Sequence, residues 1–201
     1  MMQSPEPVLK LGRNSMISSN DFRPGLTIEF RQSVWQVVEA MHVKPGKGSA
    51  FVQTRLRNLQ TSDVLSVNFR AGERIEAANV ENRKLVFVYR DFEQLILMDR
   101  AGTESFELEA KHFGSDLDLL KEGLEDIAVI THRGKVIRVE LPNMVDLEVR
   151  ETPPNERGNT NSGGGKQALL ETGAVIMVPF HVKRGDKIRV DTRTRTYVTR
   201  L

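Results

Sequence analysis

The chain has 201 residues, 39% apolar and 28% charged, an ordinary globular composition and enough for one large or two to three small domains. It has no cysteine, which excludes disulfide staples, thiolate metal sites and a cysteine nucleophile, and fits a reducing compartment. No apolar run approaches the roughly 20 residues of a membrane helix, and the net charge of +2 is too small to announce a polyanion partner by itself.

Residues 1–15 (MMQSPEPVLKLGRNS) lack the apolar core of a signal peptide and read as a loose extension. Strand signals then dominate: 26–30 (LTIEF), 34–38 (VWQVV), 50–56 (AFVQTRL), 64–69 (VLSVNF) and 85–89 (LVFVY) are short, rich in Val, Ile, Thr and Phe, and mostly bounded by turn residues. One stretch, 107–124, predicts helix, with Leu117, Leu120 and Leu124 at three- and four-residue steps and a break at Gly114. Strands resume at 127–131, 136–141, 145–149, 174–179, 187–191 and 196–199. Many short strands at this spacing predict an all-β chain of small barrels or sandwiches.

The strand pattern pauses near 77–79 and again at Leu141-Pro142-Asn143. These pauses divide the chain into an extension, 1–15, and three modules, 16–78, 79–143 and 144–201. Their net charges are +1, +2, −4 and +3 in that order. Basic ends around an acidic middle suit a molecule that touches a polyanion at both extremities. The short connections predict modules held in a fixed relation and an elongated molecule. The glycine-rich segment 152–165 (TPPNERGNTNSGGG) reads as a long mobile loop inside the third module.

Convergent catalytic chemistry is absent. His42, His112, His132 and His181 are scattered singly, without a zinc spacing, and read as surface or strand histidines. Gly46-Lys47-Gly48-Ser49 and Gly163-Gly164-Gly165-Lys166-Gln167 resemble phosphate loops, but neither satisfies G-x-x-x-x-G-K-[ST]. The sequence therefore predicts no catalytic residue, no metal and no cofactor.

Lys47 stands out for its setting. Lys44-Pro45-Gly46-Lys47-Gly48 is turn chemistry, with Pro45 fixing φ and Gly46 and Gly48 supplying positive φ or close backbone approach. Val43 ends one apolar run, and Ala50, Val52, Thr54 and Leu56 alternate along the next, so a hairpin holds Lys47 at its far end. The opposite face carries Gln53, Arg55 and Arg57, a basic stripe suited to phosphate. A solvated hairpin face is the plainer reading of these residues.

Four blocks, SNDFRPGLTIEF at 19–30, HVKPGKGSAFVQTRLRNL at 42–59, LPNMVDLEV at 141–149 and KQALLETGAVIMVPFHVKRGDKIRVDTRTRTYV at 166–198, resemble the bacterial elongation factor P family. The last follows the family pattern at Lys166, Ala168, Gly173, Ile176, Val178, Pro179, Val182, Gly185 and Asp186. The resemblance covers roughly Met16 to Leu201. It implies an SH3-like (KOW-type) amino-terminal barrel followed by two OB-fold barrels, in an L that approximates transfer RNA.

It also implies a cytoplasmic, monomeric, non-catalytic factor that binds the 70S ribosome between the peptidyl-tRNA and exit sites and contacts ribosomal RNA. Its tRNA partners would be peptidyl-tRNA, including initiator and prolyl-tRNA, and it would relieve stalling at consecutive prolines. Lys47 would reach the acceptor end of the peptidyl-tRNA from a loop of Lys44, Pro45, Gly46, Gly48 and Ser49. A lysine-modifying enzyme is a further partner where the family's tip lysine is extended covalently. Arg55, Arg57, Lys166 and Arg193 would contact RNA, and no membrane partner is implied.

Two features depart from the family. Residues 158–168 (GNTNSGGGKQA) stand where relatives commonly read G-D-T-x-x-G-G-T-K-P-A, a loop thought to approach the exit-site codon. Arg31-Gln32-Ser33 replaces the usual Asp-Gly turn before Trp35, a change expected to affect local geometry. A general single-stranded RNA-binding protein is the competing reading, since OB-folds bind oligonucleotides with basic grooves and stacked aromatics. The few aromatics, mostly in apolar strand runs, weigh against it, and an inert adaptor would leave the glycine-flanked lysine unexplained.

Overall fold

The computed structural model describes residues 15–154 and 164–201. The extension up to Asn14 and residues 155–163 of the glycine-rich segment lie outside the described residues. The described chain forms two compact units. One holds the described residues up to Asn82 together with Ile130–Arg138, and the other holds Arg83–Val129 and Val139–Leu201.

In the first unit, β2 (Thr27–Phe30), β3 (Ser33–Val43), β4 (Phe51–Asn58) and β5 (Val64–Arg70) form an antiparallel sheet in chain order. Strand β1 (Met16–Ser18) pairs with β6 (Arg74–Glu76), and a bridge from Ile28 to Ala77 ties this ribbon to the sheet. Phe22, Ile28, Trp35, Val37, Leu56, Phe69 and Ile75 pack inside. Phe69 receives Phe22 and Phe30 edge-on at 5.2 and 5.4 Å, geometry that the ring quadrupole favours. The indole N–H of Trp35 donates to the Phe30 carbonyl at 2.8 Å.

The Arg31-Gln32 turn keeps the two-residue hairpin geometry that an Asp-Gly pair would give. Phe30 pairs with Ser33, and φ is positive at both Arg31 (51°) and Gln32 (61°). Left-handed backbone costs an L-residue about 1–2 kcal/mol, and glycine escapes that cost. Gln32→Gly is therefore expected to stabilise the protein by about 1 kcal/mol, read as a higher urea midpoint at unchanged m-value. A lower midpoint would contradict this account of the turn.

The second sheet runs β11-β10-β7-β8-β9, from β7 (Val80–Asp91), β8 (Gln94–Asp99), β9 (Ser105–Glu109), β10 (Ile127–His132) and β11 (Lys135–Glu140). The tip of the β10–β11 hairpin belongs to the first unit. There His132 Nε2 lies 2.7 Å from Glu29 Oε1, and Arg133 bridges Glu29 and Glu76 at 2.7 and 2.6 Å. The third sheet runs β14-β13-β12-β15-β16, from β12 (Met144–Glu151), β13 (Gly165–Leu170), β14 (Val175–Pro179), β15 (Lys187–Asp191) and β16 (Thr196–Arg200).

The helix predicted over 107–124 does not form. Residues Ser105–Glu109 are a strand, and Ala110–His112 and Gly114–Leu119 are short 3₁₀ turns. Gly114, at the start of the second turn, has φ of 52°, so a continuous α-helix cannot run through it. Leu108, Leu119 and Leu120 are the buried leucines of the segment, whereas Leu117 and Leu124 of the periodic set are half-buried. Leu119 is fully buried in the cluster formed by Val145, Leu147, Val149, Ala168, Leu170, Ile176, Val178, Ile188 and Val190, so this turn is part of the carboxy-terminal core. Ion pairs flank it, Arg195 with Asp118 at 2.5 Å and Lys121 with Glu171 at 2.7 Å.

Candidate functional site: an exposed lysine turn and a polar sheet face

Val43 and Phe51 are the last paired residues of the β3–β4 hairpin, leaving 44–50 as a connecting loop. Lys47 is exposed in the middle of that loop, as are Lys44, Gly46, Gly48 and Ser49, while Pro45 is half-buried. The Lys47 ammonium makes no hydrogen bond or ion pair with any described residue. The two flanking glycines differ. Gly48 has φ of 113°, a backbone that L side chains rarely adopt. Gly46 lacks positive φ, and a Cβ there would meet nothing within 4 Å. Of the two roles expected of these glycines, positive φ and close backbone approach, the first is met at Gly48 alone.

Strand β4 alternates as predicted: Val52, Thr54 and Leu56 are buried, and Gln53, Arg55 and Arg57 are exposed. Residues from β5 that the sequence reading did not single out join this face. Gln53 pairs with Asn68, Arg55 with Ser66, and Phe51 with Arg70, and Ser66, Asn68 and Arg70 are all exposed. Their signal was available, since Ser66, Asn68 and Arg70 alternate with Leu65, Val67 and Phe69. Glu39 of β3 lies across from Arg55. The face thus offers guanidinium, amide and hydroxyl donors in adjoining rows, the donor types that bind phosphate and sugar oxygens.

The two carboxy-terminal basic residues are placed differently. Lys166 is only 9% exposed, and its ammonium donates to the Pro153 carbonyl at 2.8 Å, so it is not presented to solvent as an RNA contact would require. It occupies a core-facing position of β13, in line with Ala168 and Leu170. Arg193 is exposed but bound to Asp191, with Nη2 at 2.8 Å from Oδ2 and Nε at 3.3 Å from Oδ1. These side-chain hydrogen bonds, with backbone N–H donors from Arg193 and Thr194, hold the Asp191 carboxyl down at about 2. Arg193 therefore carries a charge already matched by its neighbour.

Among the described residues, no group of three or more His, Asp or Glu side chains could hold a metal. Nor is any helix of the described residues long and apolar enough to cross a membrane.

Three family models match the chain in order: an elongation factor P KOW-like domain at 18–75, an elongation factor P OB domain at 80–139 and the elongation factor P carboxy-terminal domain at 145–200. The chain is 49% identical over 185 residues to elongation factor P of Trichodesmium erythraeum, covering 92% of this chain and all of the relative. It is 48% identical over 186 residues to elongation factor P of Pelotomaculum thermopropionicum, at the same coverage. Among solved structures, a translation initiation factor eIF-5A family protein from Naegleria fowleri aligns with a TM-score of 0.51 at 14% identity, covering 65% of this chain and all of that one. At that identity the likeness speaks to the fold alone.

Proposed function

Because the chain belongs to the elongation factor P family of translation factors, we propose that it binds the 70S ribosome between the peptidyl-tRNA and exit sites and speeds peptide-bond formation at consecutive prolines. Proline's ring restricts its backbone and makes it a poor partner in peptide transfer. In this reading Lys47 braces the acceptor end of the peptidyl-tRNA and favours a near-attack arrangement. The protein supplies position and charge, and no proton transfer or covalent step of its own.

The observation that carries this reading is the Lys47 loop. A compact cation on a flexible stem stands exposed with no partner in its own chain. The bare backbone of Gly46, which nothing inside the protein requires, leaves room for a close external approach. The face of Arg55, Arg57, Ser66, Asn68 and Arg70 would grip RNA backbone beside it. Lys166 and Arg193 are left out of this grip because both are already engaged.

The same reading assigns 16–78, 79–143 and 144–201 to the three modules, places the protein in the cytoplasm as a monomer, and makes Lys47 a substrate for a modifying enzyme where the amine is extended. Cosedimentation tests it. The protein is expected to pellet with 70S ribosomes, less so as salt rises, and the Arg55→Glu, Arg57→Glu double variant is expected to bind roughly tenfold more weakly or worse. Binding to free single-stranded oligonucleotides without binding to ribosomes would overturn the reading in favour of a general RNA-binding protein.

A further inference from the structure

The second sheet carries an aromatic side chain that its own fold does not use. Asp91 pairs with Gln94, so Phe92 and Glu93 form a two-residue turn between β7 and β8. Phe92 is 89% exposed, far more than any other large apolar residue of the described chain. Its φ is 50°, in the left-handed region, and Glu93 does not share it. A hairpin turn with positive φ at its first central residue ordinarily places glycine there. A bulky aromatic at this position carries both a backbone penalty and the exposure of a ring to water. With the ring 89% exposed, packing among the described residues does little to offset either cost.

The turn is also braced. The Arg90 Nε–H donates to the Phe92 carbonyl at 2.6 Å, and its guanidinium reaches Glu93 at 4.0 Å. The ring is thus held out on a fixed backbone. Two carboxylates flank it, Asp91 before and Glu93 after with 83% of its side chain exposed; Glu109, across from Gln94 on β9, is already paired with Lys111 at 2.6 Å. The whole 79–143 stretch has thirteen acidic against nine basic residues.

We propose that Phe92 is the anchor of a protein-docking site on the ribosome, inserting into an apolar pocket ringed by lysine or arginine on a basic ribosomal protein. This rests on the ribosomal reading above. An exposed aromatic on a rigid turn is the usual kind of residue on which binding energy concentrates. The Asp91 and Glu93 carboxylates beside it complement a basic rim and repel phosphate, which favours a protein rather than an RNA as the partner. Phe92 and the Lys47 loop belong to different compact units.

The test uses the full-length protein and purified 70S ribosomes, with three readouts: binding of the wild type, binding of Phe92→Gly and Phe92→Asn, and crosslinking from a benzophenone amino acid at position 92. Both substitutions remove the ring and suit a left-handed backbone, so both variants should be at least as stable as the wild type. The expected result is wild-type binding, a loss of roughly tenfold or more in both variants, and a crosslink to a ribosomal protein. Unchanged variant binding, or a crosslink mainly to ribosomal RNA, overturns the Phe92 site and leaves the ribosomal reading standing. Failure of the wild type to bind overturns both.

Discussion

Replacing Lys47 with alanine is expected to leave the fold and its stability unchanged while removing all relief of proline stalling. The side chain is exposed and has no partner among the described residues, so the unfolding midpoint should move by no more than about 0.5 kcal/mol of stability. Ribosome binding should persist, because the Arg55 and Arg57 face is untouched. A reporter with consecutive prolines, translated in a reconstituted system, should give the same full-length yield with Lys47→Ala as with no factor. Wild-type yield from this variant would reduce the loop to a solvated turn and remove Lys47 from the mechanism.

Leu119→Ala is expected to have the largest effect on stability, a loss of about 2–5 kcal/mol in urea unfolding. The residue sits in a short 3₁₀ turn, yet it is fully buried among the side chains of the third sheet. Truncation would open a cavity in that core. The neighbouring pairs Arg195–Asp118 and Lys121–Glu171 are partly exposed and too weak to compensate. A loss below about 1 kcal/mol would show that the turn merely rests on the barrel.

What could be read in the sequence follows from which interactions are local. Alternation along 51–58 and 64–70 announced both strands and the exposed face of β4, because the strand period is set by the backbone itself. The carboxy-terminal family block was legible for a structural reason: Ala168, Ile176, Val178 and Val182 are core, and Gly173 and Gly185 adopt positive φ in turns. Lys166 in the same block is an RNA contact in what the family resemblance implies, but it is buried. Its two-residue spacing from Ala168 and Leu170 already put it on the buried face.

The misses have physical causes too. Strand β8 is hard to read in the sequence because its turn has Phe92 where a glycine would signal a hairpin. Strand β13 has the helix formers Ala and Leu, and only its pairing with β12 and β14 makes it extended. At 107–124 the leucine spacing mimicked a helix. Leu119 is buried instead against side chains from Val145 to Val190, far along the chain, which no local pattern records.

The central claim, that an unpartnered amine on a narrow loop speeds prolyl transfer by position, is tested most directly by single-turnover kinetics on ribosomes holding a peptidyl-prolyl-tRNA and an incoming prolyl-tRNA. The account predicts that the protein raises the transfer rate roughly tenfold or more, equivalent to about 1.4 kcal/mol off the barrier, and that Lys47→Ala does not. An identical rate with and without the protein, or equal acceleration by the alanine variant, would contradict it.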